Sequence, residues 1–101
     1  MKLSLICPCY NEGENIEVFY RTCVEVLDGK VDSYEFVFVN DGSSDDTWQK
    51  LTAIYESTDK PIKLVNFSRN FGKEAAMYAG LCRCEGCIAV NTDIEIADTA
   101  V

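Results

Sequence analysis

Three separated polar stretches carry the residues best suited to chemistry: Tyr10-Asn11-Glu12, Asn40-Asp41-Gly42-Ser43 and Asn91-Thr92-Asp93. Each sets a carboxylate beside amide, hydroxyl or backbone groups, a mixture able to grip a polar ligand. Asn, Asp and Gly also favour turns and helix caps, so one such stretch alone reads equally well as turn chemistry. Three of them, each directly following an apolar run, point to a shared site. The chain holds 17 acidic and 9 basic residues, a formal charge of −8. In so acidic a protein, carboxylates near a phosphate call for a divalent cation that screens the like charges.

The elements that must position these residues follow from apolar patterning. Lys2 to Cys7 is a short apolar run closed by Pro8, expected as a buried strand. Ile16, Phe19, Tyr20, Cys23, Val24 and Leu27 then recur at helical spacing opposite Glu14, Glu17, Arg21 and Glu25, with Asp28-Gly29 as the stop. Tyr34 to Val39 is expected as a second strand, apolar apart from Glu35 and so covered on both faces. Ser43 to Asp46 offers caps for a helix with Trp48, Leu51, Ile54 and Tyr55 turned inward, broken at Asp59-Lys60-Pro61. Ile62 to Phe67 gives a third strand. The loop Ser68-Arg69-Asn70-Phe71-Gly72 feeds a helix whose Ala75, Ala76, Ala79 and Gly80 suggest close backbone packing, and Cys87 to Val90 gives a fourth strand. Alternating strands and helices predict an α/β fold with an open, mainly parallel sheet, flanking helices and right-handed crossovers. In such sheets ligands bind beyond the carboxyl ends of the strands, where the three polar stretches fall.

Composition narrows the function classes. With 101 residues the chain is a single unit, and its 48% hydrophobic content supplies a modest core. The nine basic residues form no dense run, which argues against nucleic acid as a partner. Leu3 to Cys9, interrupted by Pro8, is too short for a signal peptide, and no run approaches the roughly 18 apolar residues of a membrane span. Six cysteines without a leader suit reduced thiols in a cytoplasm. The cluster Cys82-Arg83-Cys84-Glu85-Gly86-Cys87 has thiolate spacing a zinc ion could use, but with no histidine in the chain it reads better as packed or idle thiols.

Three blocks together resemble a known family: Pro8-Cys9-Tyr10-Asn11-Glu12, Phe38-Val39-Asn40-Asp41-Gly42-Ser43-Ser44-Asp45-Asp46-Thr47, and Asn66-Phe67-Ser68-Arg69-Asn70-Phe71-Gly72-Lys73-Glu74-Ala75-Ala76. They are similar to the N-terminal half of family 2 glycosyltransferases, of GT-A fold, and in particular to polyprenyl-phosphate sugar transferases related to dolichol-phosphate mannosyltransferase. The resemblance implies transfer of a sugar, with inversion, from a nucleoside diphosphate sugar to a polyprenyl phosphate. It implies that Pro8, Tyr10 and Glu12 pack around base and ribose, and that Asp41, with Ser43 beside it, accepts hydrogen bonds from the nucleoside. Arg69 and Lys73 then stand where positive charge approaches a phosphate. Asn91 and Asp93 occupy the family's Asp-x-Asp loop, which holds Mg²⁺ or Mn²⁺ against the diphosphate. Asn91 in place of the first Asp keeps an oxygen but removes one negative charge, so a weakened metal site is expected.

By that resemblance residues 1–101 form the nucleotide-sugar-binding part of a larger domain. The acceptor site and the catalytic base are expected in a second half, and the full protein is expected at the cytoplasmic face of a membrane. A half-domain exposes sheet edge and apolar surface, so self-association is expected. The competing readings are a non-catalytic nucleotide-sugar-binding or assembly module, favoured by Asn40 and Asn91, and an unrelated doubly wound domain. The chain lacks a glycine-rich phosphate loop of standard spacing, which weighs against the last. The 101-residue chain alone is expected not to transfer sugar to a lipid phosphate; product formation from a radiolabelled donor would overturn this.

Overall fold

A computed structural model describes residues 2–85 and 88–91. The order of elements is β1 (Lys2–Cys9), α1 (Ile16–Leu27), β2 (Ser33–Asn40), α2 (Thr47–Ser57), β3 (Ile62–Asn66), α3 (Lys73–Arg83) and β4 (Ile88–Asn91). The strands form one sheet in the order β3-β2-β1-β4, and all three pairings are parallel. The sheet is the expected α/β arrangement. The chain winds outward from β1 through β2 to β3, then crosses back to place β4 on the other side of β1. The reversal makes the carboxyl ends of β1 and β4 the switch point at which sheets of this kind take ligands.

β1 runs two residues past the expected end, through Pro8 to Cys9. The Cys9 carbonyl accepts from the Asp41 amide at 2.8 Å, on the β2 side. The preceding residue therefore turns its backbone nitrogen the other way, toward β4, whose pairing with β1 ends at Ile6 opposite Asn91. A proline is tolerated there because, among the described residues, no ladder bond is lost.

The two faces of the sheet differ. On one, Leu5, Cys7, Cys9, Tyr34, Phe36 and Phe38 join Ile16 and Phe19 of α1 and Leu51 and Ile54 of α2 in a continuous core. Phe36 and Phe38 stack at 5.4 Å, and Phe19 meets Phe38 edge-on at 6.5 Å. Tyr55, expected inward, is 54% exposed. The buried stripe of α2 is Thr47, Leu51 and Ile54, off which position 55 lies, and the Thr47 hydroxyl accepts from the Glu12 amide. On the other face α3 covers Ile6, Val37 and Val39. The small-residue expectation holds there: a Cβ on Gly80 would lie 2.4 Å from Ile6 Cγ2. Among the described residues no helix is long and apolar enough to cross a membrane.

Glu35, the exception in β2, is 1% exposed and lies at the end of the sheet away from the polar loops. It accepts from the Ser4 hydroxyl at 2.6 Å and the Glu85 amide at 2.6 Å, and Lys63 stands 3.3 Å away. Burial pushes its carboxyl upward, but the bonds from Ser4, Glu85 and Lys63 outweigh burial and hold it below the usual carboxylate range. For Lys63, burial pulls downward and the two glutamates prevail, raising it.

Two outcomes are expected. Gly80→Val should lower stability by about 2 kcal/mol through overpacking against Ile6, read from urea unfolding. The Glu35–Lys63 contribution should be complete between the two unfolded-state values of roughly 4.3 and 10.4. A lowered carboxylate loses its contribution as pH falls through its folded value, and a raised lysine as pH climbs through its own. Melting temperature against pH should therefore drop at both ends, and Glu35→Gln should flatten the acid limb.

Candidate functional site

The polar rim forms at the carboxyl ends of β1, β2 and β3, where the loops bond to one another more than to themselves. Between the first and second loops, the Asn11 amide donates to Ser43 Oγ at 2.9 Å and the Glu12 amide to Thr47 Oγ1 at 3.0 Å. The Gly13 amide donates to Asp45 Oδ2 at 3.1 Å, and Asn11 Oδ1 accepts from the Ser44 amide at 2.8 Å. Asn11 takes a positive φ of 53°, a region Asn tolerates, which lets both its backbone and side chain face the second loop. Asp45, just ahead of the N-cap Asp46, also accepts from the Thr47 amide and hydroxyl and so satisfies the first amide of α2. Burial raises its carboxyl, yet the bonds from Thr47 and Gly13 prevail and leave it lowered.

Asp41 joins the second loop to the third. It is 3% exposed, and Oδ1 accepts from the Phe71 amide at 2.8 Å. Oδ2 accepts from the Gly72 amide at 3.1 Å and from Asn70 Nδ2 at 3.2 Å. Of the roughly four acceptor positions on a carboxylate, three are taken, leaving about one for a ligand. Gly42 permits the approach: a Cβ there would fall 2.2 Å from the Arg69 carbonyl carbon and 2.3 Å from the Asn70 nitrogen. Beneath them, Asn40 Oδ1 accepts from the Ser43 amide at 3.2 Å, which turns its nitrogen to donate to Asn66 Oδ1 at 2.8 Å. A carboxylate in place of Asn40 could not donate that second bond, so the amide has a role in the fold.

The sequence-derived residues fall as follows. Pro8, next to last in β1, is half-buried, and Tyr10 just beyond the strand is 51% exposed on the rim. Glu12, half-buried, accepts from Asn15 Nδ2 at 3.3 Å. Ser43 is half-buried between the first two loops. Arg69 is exposed, its guanidinium 4.7 Å above the Phe71 ring. Lys73 is exposed at the first turn of α3. Glu12, Asp41, Ser43, Arg69 and Lys73 are thus carried by loops or helix starts at one end of the sheet. Asn91 closes β4 at that same end, and Asp93 lies outside the described residues. Reading the sequence missed Asn11, Asp45, Thr47, Asn66 and Asn70 as the residues that bind the loops together. Asp45-x-Thr47 carried a local turn signal; the others had none, because their partners are distant in sequence.

Cys7 and Cys9 are fully buried in the core, and burial pushes both thiols up, keeping them protonated. Cys82 is exposed and Cys84 half-buried at the end of α3, and Cys87 lies outside the described residues.

Comparison with known proteins settles the family. Residues 4–94 match the model for Glycosyl transferase family 2. The chain belongs to that family. A bactoprenol glucosyl transferase of Shigella phage SfV is 42% identical over 97% of this chain and 32% of its own length. An uncharacterized glycosyltransferase of Synechocystis sp. is 41% identical over 97% of this chain and 30% of its own. The family 2 chain therefore spans about a third of the length of these curated relatives. A solved mannosyltransferase from Pyrobaculum calidifontis, in complex with GDP-Man and Mn²⁺, superposes with a TM-score of 0.84 at 31% identity, covering 92% of this chain and 27% of that one. The GT-A fold expected from the resemblance is the fold observed.

Asp41→Ala should cost about 2 kcal/mol, because it strands the Phe71 and Gly72 amides. Hydrogen exchange at those two amides should accelerate, and unchanged rates would mean that the third loop stands without the carboxylate.

Proposed function

We propose that this chain is the donor-binding part of an inverting glycosyltransferase that moves a sugar from a nucleoside diphosphate sugar to a polyprenyl phosphate. The observation that carries this reading is the rim itself. Three loops at the carboxyl end of a parallel sheet are bonded into one surface beside the strand reversal, where α/β sheets take nucleotides. Two likenesses support it: the relative named a bactoprenol glucosyl transferase, and the similar mannosyltransferase solved with GDP-Man and Mn²⁺.

In this proposal Pro8, Tyr10 and Glu12 line the base and ribose, Tyr10 offering an exposed ring for stacking. Asp41 uses its remaining acceptor position for a nucleoside N–H or hydroxyl, and Ser43 stands beside it. Its three internal bonds hold it ready, so little order is lost on binding. Arg69, stacked on Phe71, and Lys73 at the start of α3 present positive charge to phosphate oxygens. Asn91 and Asp93 supply the hard oxygen donors that suit Mg²⁺ or Mn²⁺. Such an ion, when bound, neutralises the charge that develops on the departing diphosphate. The amide at position 91 leaves that site one charge weaker. The acceptor phosphate and the base that assists it belong, on this reading, to the rest of a longer protein working at the cytoplasmic face of a membrane.

Calorimetric titration of the chain with GDP-mannose and UDP-glucose, each with and without Mn²⁺, tests the proposal. Metal should tighten binding of one nucleotide sugar by about tenfold or more, roughly 1.4 kcal/mol, and Asp93→Ala should remove that gain while sparing metal-free binding. Binding indifferent to metal and to Asp93→Ala would favour a non-catalytic binding module. Absence of binding to either would defeat the donor-site reading.

A further inference from the structure

β4 is four residues long and pairs with β1 from Leu3–Ile88 to Ile6–Asn91. So short a strand has few contacts of its own with which to choose a register. Sliding by one residue would exchange the faces of all its side chains and move residue 91 along the rim. What precedes it is held firmly. Lys63 Nζ donates to the Arg83 carbonyl at 2.8 Å, and Glu35 Oε2 accepts from the Glu85 amide at 2.6 Å. Lys63 also stands 3.3 Å from the Glu85 carboxylate, and Lys2 at 3.5 Å from it. Glu35 itself is fixed by the Ser4 hydroxyl of β1. Strands β1, β2 and β3 thus each contribute a polar side chain, and together these side chains close on the chain between α3 and β4.

The chemistry at this place is out of keeping with its surroundings. Glu35 is 1% exposed in a strand whose other residues from Tyr34 to Val39 are apolar. Replacing a buried ionic group by an apolar one of similar volume is often neutral or stabilising, so a buried carboxylate here points to a role in fixing geometry. Only Gly86 and Cys87 separate anchored Glu85 from paired Ile88. Three residue steps reach about 10 Å at most, so anchoring Glu85 limits how far Ile88 can slide along β1.

We infer that Glu35 and Lys63 are positioning residues: by gripping residues 83–85 they set the register in which β4 joins β1, and so fix where Asn91 meets the rim. The consequence for ligand binding rests on the donor-site reading above; the effect on register does not. Glu35→Gln keeps an acceptor for the Glu85 amide but weakens the hold of Lys63, and Glu35→Met with Lys63→Met removes both grips while leaving apolar volume.

Amide hydrogen exchange on the full chain gives the test. In the double variant, exchange at residues 88–91 should accelerate about 100-fold while Phe36 to Phe38 change less than about threefold, with Glu35→Gln between wild type and double variant. Protection at 88–91 equal to wild type in the double variant would overturn the inference, as would loss spread evenly over Tyr34 to Asn40, which is what a purely stabilising pair would give. Should the double variant not fold, the same contrast within Glu35→Gln decides. GDP and UDP serve as binding probes alongside: the double variant should bind the preferred one about tenfold more weakly. If wild type binds neither, the donor-site reading fails and the exchange contrast still judges the clamp.

Discussion

A carboxylate buried at the end of a strand must find donors, and Asp41 finds them in the backbone of a loop some thirty positions further along the chain. That bond set holds the third rim loop against the second, and with it Arg69, Phe71 and the start of α3. Gly42 allows it, since any side chain there would enter the Arg69–Asn70 peptide. Asn40 underlies it by bonding Ser43 on one side and Asn66 on the other. If the loops were free, each rim residue would have to be ordered at the moment of binding, at a cost of roughly 0.5–1.5 kcal/mol per side chain.

The sheet is organised so that its two ends do different work. At the carboxyl end the polar groups are spread over loops and face outward. At the opposite end Glu35 and Lys63 tie α3's exit to three strands. Between them the faces are apolar, aromatic beneath α1 and α2 and closely packed beneath α3, where Gly80 rides on Ile6. A rigid middle carrying a bonded rim is the arrangement by which an α/β sheet presents backbone and side-chain donors to a nucleotide.

The family assignment gives the rim its meaning, and the departures from the family pattern are informative. Asn40 has a place in the fold, accepting from the Ser43 amide while donating to Asn66.

Much of this protein was legible as a string of residues. Strand and helix alternation, the parallel sheet, α1 and its stop, and the family itself all followed from local periodicity and three motifs, because apolar spacing and turn chemistry act over a few neighbouring positions. Boundaries moved slightly, as at Pro8, whose tolerance depends on which neighbour strand its nitrogen faces. Tyr55 faced solvent because the buried stripe of α2 runs through Thr47, Leu51 and Ile54 at four- and three-residue spacing, and position 55 lies off it. What the tertiary structure alone decided was the set of partners: Asp41 with Phe71 and Gly72, Asn40 with Asn66, Glu35 with Lys63 and Glu85. Hydrogen bonds act over about 3 Å of space whatever the distance along the chain, so no spacing rule in one sequence could have paired them.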